Sequence, residues 1–250
     1  MILTYDGTFD GLLTAIFEGF RLRIPDLRIE GDGPVTGDLF SGKSFVDTDK
    51  DKAGRVRQKL EDLGGKKTTK ALYRCFLSEQ DDLERVILHA IQRLLTDGGA
   101  ALTDYRDPLI LRLQQIGKQI GREVHRMHAF VRFQETRDGL FVSLIEPDFN
   151  VLPLIGKHFR ERYPAQDWLI YDVQRHYGLL YDRDGMRFTT LTESQHVRLQ
   201  RDWLTDTEKD YQELWKTYFK AVDIPERRNM KQHVQHVPKR YWKFLIEKSE

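Results

Sequence analysis

Cysteine is almost absent: Cys75 is the only one in 250 residues, so no internal disulfide can form. No trio of clustered thiolates exists to hold an iron–sulfur centre within the chain. Net charge is also nearly absent, at +1. No apolar run approaches the roughly 20 residues that a membrane-spanning helix needs. The opening Met1-Ile2-Leu3-Thr4-Tyr5-Asp6 lacks a basic region followed by an apolar stretch, so no signal peptide is indicated. Together these absences point to a soluble protein of a reducing cytoplasm.

What is present suits a folded domain. Hydrophobic residues make up 40 % and aromatics 11 %, enough for a sizeable core, and 32 % are charged. The balanced total hides an uneven distribution. Residues 1–38 hold seven acids and three bases, whereas 112–137 hold six bases and two acids. The stretch Arg227 to Leu245 carries six Lys/Arg and no acid. There, cations alternate with amides and rings, which suits phosphates and flat bases.

Periodicity outlines the elements. Ile2 to Tyr5 reads as a strand, and Thr8 as the cap of a helix carrying Phe9, Leu12, Leu13, Ile16, Phe17 and Phe20. Residues 30–52 read as a long loop. A helix is expected from about Asp49 to Leu63, stopped by Gly64-Gly65, and another opening at Ser78. Asp107-Pro108 starts a helix with Leu109, Leu113, Ile116, Ile120, Val124 and Met127 on one stripe. Arg112, Gln115, Lys118, Gln119, Arg122 and Arg126 lie opposite, a face for a phosphate backbone or simply for solvent. Gly117 and Gly121 suggest a close helix contact. Ala129–Glu135 and Leu140–Ile145 flank Asp138-Gly139 as a hairpin. A helix from Leu152 to Tyr163 and strands at 168–171, 178–181 and 186–188 follow. The expected fold is α+β: an antiparallel sheet with a covering helix, a helical region over 49–127, a sheet part over 128–190, and a C-terminal helix with basic tail over 207–250, all within one domain 1–250.

Motifs for catalysis are weak. Gly37-Asp38-Leu39-Phe40-Ser41-Gly42-Lys43-Ser44 matches the phosphate-loop letters, but a strand before it and a helix opening at Lys-Ser are not expected. His125-x-x-His128 and His233-x-x-His236 lack the third and fourth ligands of a zinc site, so no metal or cofactor is expected. Cys75, among apolar neighbours, reads as a core thiol. Asp172, Arg175 and Tyr177 sit at a strand end and turn. They could line a catalytic pocket of a lyase or nuclease, or Asp172 and Arg175 could pair across the turn.

Several stretches together resemble a bacterial family described as putative DNA metabolism or repair proteins. They are Tyr5-Asp6-Gly7-Thr8-Phe9-Asp10-Gly11, Arg126-Met127-x-Ala129-Phe130-Val131-Arg132-Phe133, Asn150-Val151-Leu152-Pro153-Leu154-Ile155, Trp168-Leu169-Ile170-Tyr171-Asp172, Leu214-Trp215-Lys216-x-Tyr218-Phe219 and Pro238-Lys239-Arg240-Tyr241-Trp242-Lys243. The resemblance implies a gene neighbour encoding a radical S-adenosylmethionine protein, and some relatives fused to a uracil-DNA glycosylase-like domain. It implies no catalytic residues. The resulting expectation is a DNA-binding accessory protein in repair or modification. Arg122, Arg126, Arg132, Arg227, Arg228, Asn229, Lys239, Arg240 and Lys243 would meet the backbone, and Tyr241 or Trp242 would stack on a base. A nucleic-acid enzyme and a protein-only partner of the radical enzyme are the alternatives.

Overall fold

A computed structural model describes residues 1–31, 42–192, 204–222 and 229–248. The chain divides into two units, Met1–Gly121 and Arg122–Glu250.

The first unit is built on a small parallel sheet. β1 (Ile2–Thr4) lies between β2 (Arg28–Glu30) and β3 (Lys43–Phe45), in the order β2-β1-β3. α1 (Phe9–Arg21) follows β1. The Thr8 hydroxyl caps it by accepting from the Gly11 N–H at 3.0 Å. Burying Leu12, Leu13, Ala15 and Ile16 fastens α1 to the core, at about 1.5–3 kcal/mol for each large side chain. α2 (Lys50–Gly64) is capped by Asp49, which accepts from the N–H groups of Asp51 and Lys52.

Gly64-Gly65 does stop α2, with Gly65 at φ +74°, but the chain then re-enters helix as α3 (Lys66–Phe76). That helix was not expected. Its first turn is Lys-Lys-Thr-Thr-Lys, and Thr68 and Thr69 are buried where a periodicity search looks for aliphatic residues. The next helix, α4 (Leu83–Asp97), starts after Asp82 and not at Ser78. The Ser78 hydroxyl instead donates to the Cys75 carbonyl at 2.6 Å, at the end of α3.

α5 (Pro108–Phe130) begins in the first unit, and Asp107 caps it by accepting from the N–H groups of Leu109 and Ile110. A bond from His89, at 2.7 Å, and those two N–H groups overcome burial and hold the Asp107 carboxyl down at about 2. Leu113, Ile116, Ile120 and Met127 of the expected stripe are buried, whereas Leu109 and Val124 are only partly so and their neighbours Ile110 and Glu123 are buried. Gly117 and Gly121 are not a packing seam: a methyl group at either would meet nothing within 4 Å among the described residues.

The second unit carries a five-stranded sheet in the order β4-β5-β6-β7-β8. The strands are β4 (Gln134–Glu135), β5 (Phe141–Ile145), β6 (Trp168–Asp172), β7 (Tyr177–Asp182) and β8 (Gly185–Thr189). The hairpin at Asp138-Gly139 is present, with Gly139 at φ +78° where a side chain would be strained. Its first arm is shorter than read, because α5 keeps its helical bonds through Val131, whose N–H donates to the Met127 carbonyl. The sheet is also mixed, where an antiparallel one was expected. α6 (Leu152–Arg162) crosses over between β5 and β6, so these two run parallel, Phe141 opposite Trp168 and Ile145 opposite Asp172. The fold class is α+β. An aromatic core seats α6: Phe133 lies 5.7 Å from Phe159, 5.3 Å from Tyr163 and 5.8 Å from Trp168.

Beyond the sheet come α7 (Asp206–Ala221), α8 (Met230–His236) and short 3-10 turns over Lys239–Phe244 and Ile246–Lys248. No described helix is long and apolar enough to cross a membrane.

Candidate functional site

The turn between β6 and β7 is closed on itself. Asp172 is fully buried and receives the N–H groups of Gln174 and Arg175 at 3.0 and 3.1 Å. The Arg175 guanidinium lies 2.9 Å from the same carboxylate and also donates to the carbonyls of Pro147 and Asp148. Tyr177 donates to the Asn150 side chain. Of the two readings of this turn, the pairing of Asp172 with Arg175 is present in the structure. The Asp172, Arg175 and Tyr177 side chains thus each have a polar partner within the unit.

The basic tail is similarly engaged. At its centre is Glu123 of α5, with a side chain only 1 % exposed. Tyr241 donates its hydroxyl to Glu123, and Arg240 reaches Glu123 at 3.1 Å and Asp148 at 2.6 Å. Arg126 lies 3.4 Å from the same Glu123, and the Asp148 N–H donates to it at 3.0 Å. The Arg240 guanidinium also covers the Tyr241 ring at 4.5 Å. Burial pushes the Tyr241 phenol well above its ordinary range, and Glu123 adds to the shift. Burial likewise raises the Asp148 carboxyl, opposed by Arg240.

The remaining cations of the predicted interface divide in two. Lys243 pairs with Glu146. Arg132 donates to the Ala129 carbonyl at 2.6 Å and meets Glu247 at 3.4 Å. Arg132 and Lys243, distant in sequence, line one cavity of about 130 Å³ with Gln134 and Gln212. Asn229 serves as the cap of α8, accepting from the Gln232 N–H. Arg122 is exposed and has no carboxylate partner among the described residues, and Lys239 has only the Trp242 ring, at 5.9 Å. Arg227 and Arg228 lie outside the described residues.

The two candidate stackers differ. Tyr241 is 2 % exposed and packs on Phe130 at 5.2 Å, so its faces are unavailable to a base. Trp242 is half-buried, with its indole N–H on the Val237 carbonyl and Lys248 over its ring at 5.3 Å.

Helix α7 shows the opposite character. Among its residues none is buried, and Tyr211, Leu214, Trp215 and Tyr218 are 63, 64, 40 and 57 % exposed. Leu214, Trp215 and Tyr218 recur at the three- and four-residue spacing of one helix face. The Trp215 indole donates to Glu247 at 3.0 Å, which orients the ring. The helix holds four acids and three lysines, so the aromatic side chains sit in no positive field of their own.

Other sequence signals resolve simply. Lys43 and Ser44 of the phosphate-loop look-alike lie on β3, not at a helix start, and Lys43 pairs with Glu30 at 2.6 Å. Gly37 to Ser41 fall outside the described residues. His128 stacks on His158 with centroids 3.9 Å apart. Burial drives the Cys75 thiol up to about 12, the state of an inert thiol.

Sequence reasoning missed the carboxylates, Glu123 above all. Its signal was available: Ile116, Ile120, Glu123 and Met127 fall on one stripe, and an acid there requires a partner.

Taken together, the second unit is an α+β domain whose C-terminal strap is tied to α5. The sequence model of one family, described as a domain of unknown function (DUF4130), matches residues 81–247, about two thirds of the chain. The chain belongs to that family. No curated protein matches it.

Proposed function

We propose that the chain is an accessory protein of DNA repair or modification, and that it works by docking a radical S-adenosylmethionine protein on α7. The partner comes from the resemblance of the chain to DNA-metabolism proteins with such a neighbour. The observation that carries the docking surface is the solvent-facing row Leu214, Trp215 and Tyr218, on a helix with no buried residue. Large exposed aromatics with one anchored indole are the composition of protein hot spots. The four acids against three lysines of α7 disfavour a phosphate backbone at this face. The test is co-purification of the two proteins after nuclease treatment. Retention by the wild-type chain and loss with Trp215→Ala/Tyr218→Ala supports the reading; retention by the double variant removes α7 from it.

Direct contact with DNA is the second reading. It is favoured by Arg122 and Lys239, exposed cations without a carboxylate partner among the described residues. With Lys231 they make three candidate phosphate contacts, for a salt slope of about −3 on a log–log plot. A slope near zero would end it.

A further inference from the structure

The first unit contains a cavity that the reading above leaves unused. It has a volume of about 640 Å³, within the rough 300–1,000 Å³ range of small-molecule sites. Thr8, Phe9, Lys50, Thr69, Lys70 and Tyr73 are among its lining residues.

Its place in the fold is informative. The sheet order β2-β1-β3 puts the chain first on one side of β1 and then on the other. In open parallel sheets, ligands bind beyond the carboxyl ends of the strands where the order reverses, because the loops diverge there. The segments that leave β1 and β3 by those ends supply Thr8, Phe9 and Lys50 to the cavity. Both α1 and α2 begin here, with N–H groups of their first turns already bonded to the Thr8 hydroxyl and the Asp49 carboxylate.

Its chemistry narrows the ligand. The two acids of the lining are already committed. Asp10 pairs with Arg57. Asp6 accepts from the Thr8 and Thr48 hydroxyls, each at 2.7 Å. Gly11 makes this possible, since a methyl group there would stand 2.2 Å from the Asp6 carboxylate. Lys50 and Lys70, by contrast, are exposed and have no ion-pair partner among the described residues. Thr69 is nine-tenths buried and its hydroxyl has no hydrogen-bond partner. That oxygen has no accessible surface, so it is a cost borne by the fold and not a ligand contact. Tyr73, partly exposed, adds flat carbon surface and is backed by the buried Phe9 ring 5.2 Å away.

We propose that this cavity binds a nucleoside monophosphate. Lys50 and Lys70 take the phosphate at the mouth of the cavity, and the partly exposed Tyr73 ring takes the base. All of these residues precede position 81, where the match to the family model starts, and none belongs to the docking face on α7.

The experiment is isothermal titration of the full chain with the four ribonucleoside 5′-monophosphates, the matching nucleosides and inorganic phosphate. At least one nucleotide should bind tenfold or more tightly than its nucleoside and than phosphate. Lys50→Ala/Lys70→Ala should weaken that binding at least tenfold with an unchanged thermal midpoint. Thr69→Val should raise the midpoint of the unliganded chain and leave nucleotide affinity unchanged, because it deletes an unsatisfied hydroxyl that no ligand reaches. The proposal is overturned if no nucleotide binds at millimolar concentration, if inorganic phosphate binds as tightly as the nucleotide, or if binding survives Lys50→Ala/Lys70→Ala unchanged.

Discussion

The basic tail and α7 look alike in sequence. Each mixes aromatic residues with Lys or Arg over fewer than twenty positions, and each contains a Trp and a Tyr. In the fold they part company. The tail turns its Tyr inward and gives Arg240 and Lys243 to carboxylates of its own unit. Helix α7 keeps Tyr211, Leu214, Trp215 and Tyr218 in solvent. The difference teaches that a run of cations is a surface only after its counter-ions have been found. Glu123, Asp148 and Glu146 are separated from the tail by about a hundred residues of chain, so a local charge count cannot see them.

The largest test of the contrast is Glu123→Ala. It leaves the Tyr241 hydroxyl buried without its acceptor and removes the counter-charge of Arg240 and Arg126. Breaking a buried pair of this kind costs about 3–5 kcal/mol. Urea unfolding of the variant should show that loss, with the tail newly open to proteases. A loss below about 1 kcal/mol would mean that the strap is not held at Glu123.

A matched pair of tyrosines sharpens the comparison. Tyr241→Phe removes a hydroxyl that donates to Glu123 and accepts from Arg240, and should cost about 1–3 kcal/mol. Tyr218→Phe removes one from an exposed helix face and should stay within about 0.5 kcal/mol. Equal losses would erase the distinction between the two segments.

How much of this was legible in the chain follows from the range of each interaction. α1, α2, α6 and β6 to β8 were readable because their signals are local: a Thr cap, a Pro in the first turn, an Asp-Gly turn, alternating apolar positions. The Asp172–Arg175 pair is three residues apart, and it was one of the two readings of its turn. Three features were not readable. α3 hides its inward face in Thr68 and Thr69. β2 and β3 are three residues each, too short for alternation to show, and β3 falls where a long loop was read, whereas β1 was read as Ile2 to Tyr5. The parallel pairing of β5 and β6 depends on how α6 crosses, which is a tertiary choice. The candidate site fared worst for the same reason. Cations were counted along the sequence, while their partners were set by the fold.

The smallest effect separates adjacent residues of the tail. Lys239 has no carboxylate partner among the described residues, whereas Arg240 is shared between Glu123 and Asp148. If the chain binds DNA, Lys239→Ala should reduce the log–log salt slope by about one unit and leave stability nearly unchanged. Arg240→Ala should do the reverse: about 1–3 kcal/mol of stability lost, as buried Glu123 loses a partner, with the slope unaltered at temperatures where the variant is folded. The measurement is DNA affinity over a range of salt concentrations, paired with denaturation of each variant. A slope that falls by one unit for Arg240→Ala as well would show that its guanidinium leaves the carboxylates for a phosphate when DNA is present. The tail would then be a surface held in reserve by its own counter-ions, and the contrast with α7 would be one of state and not of kind.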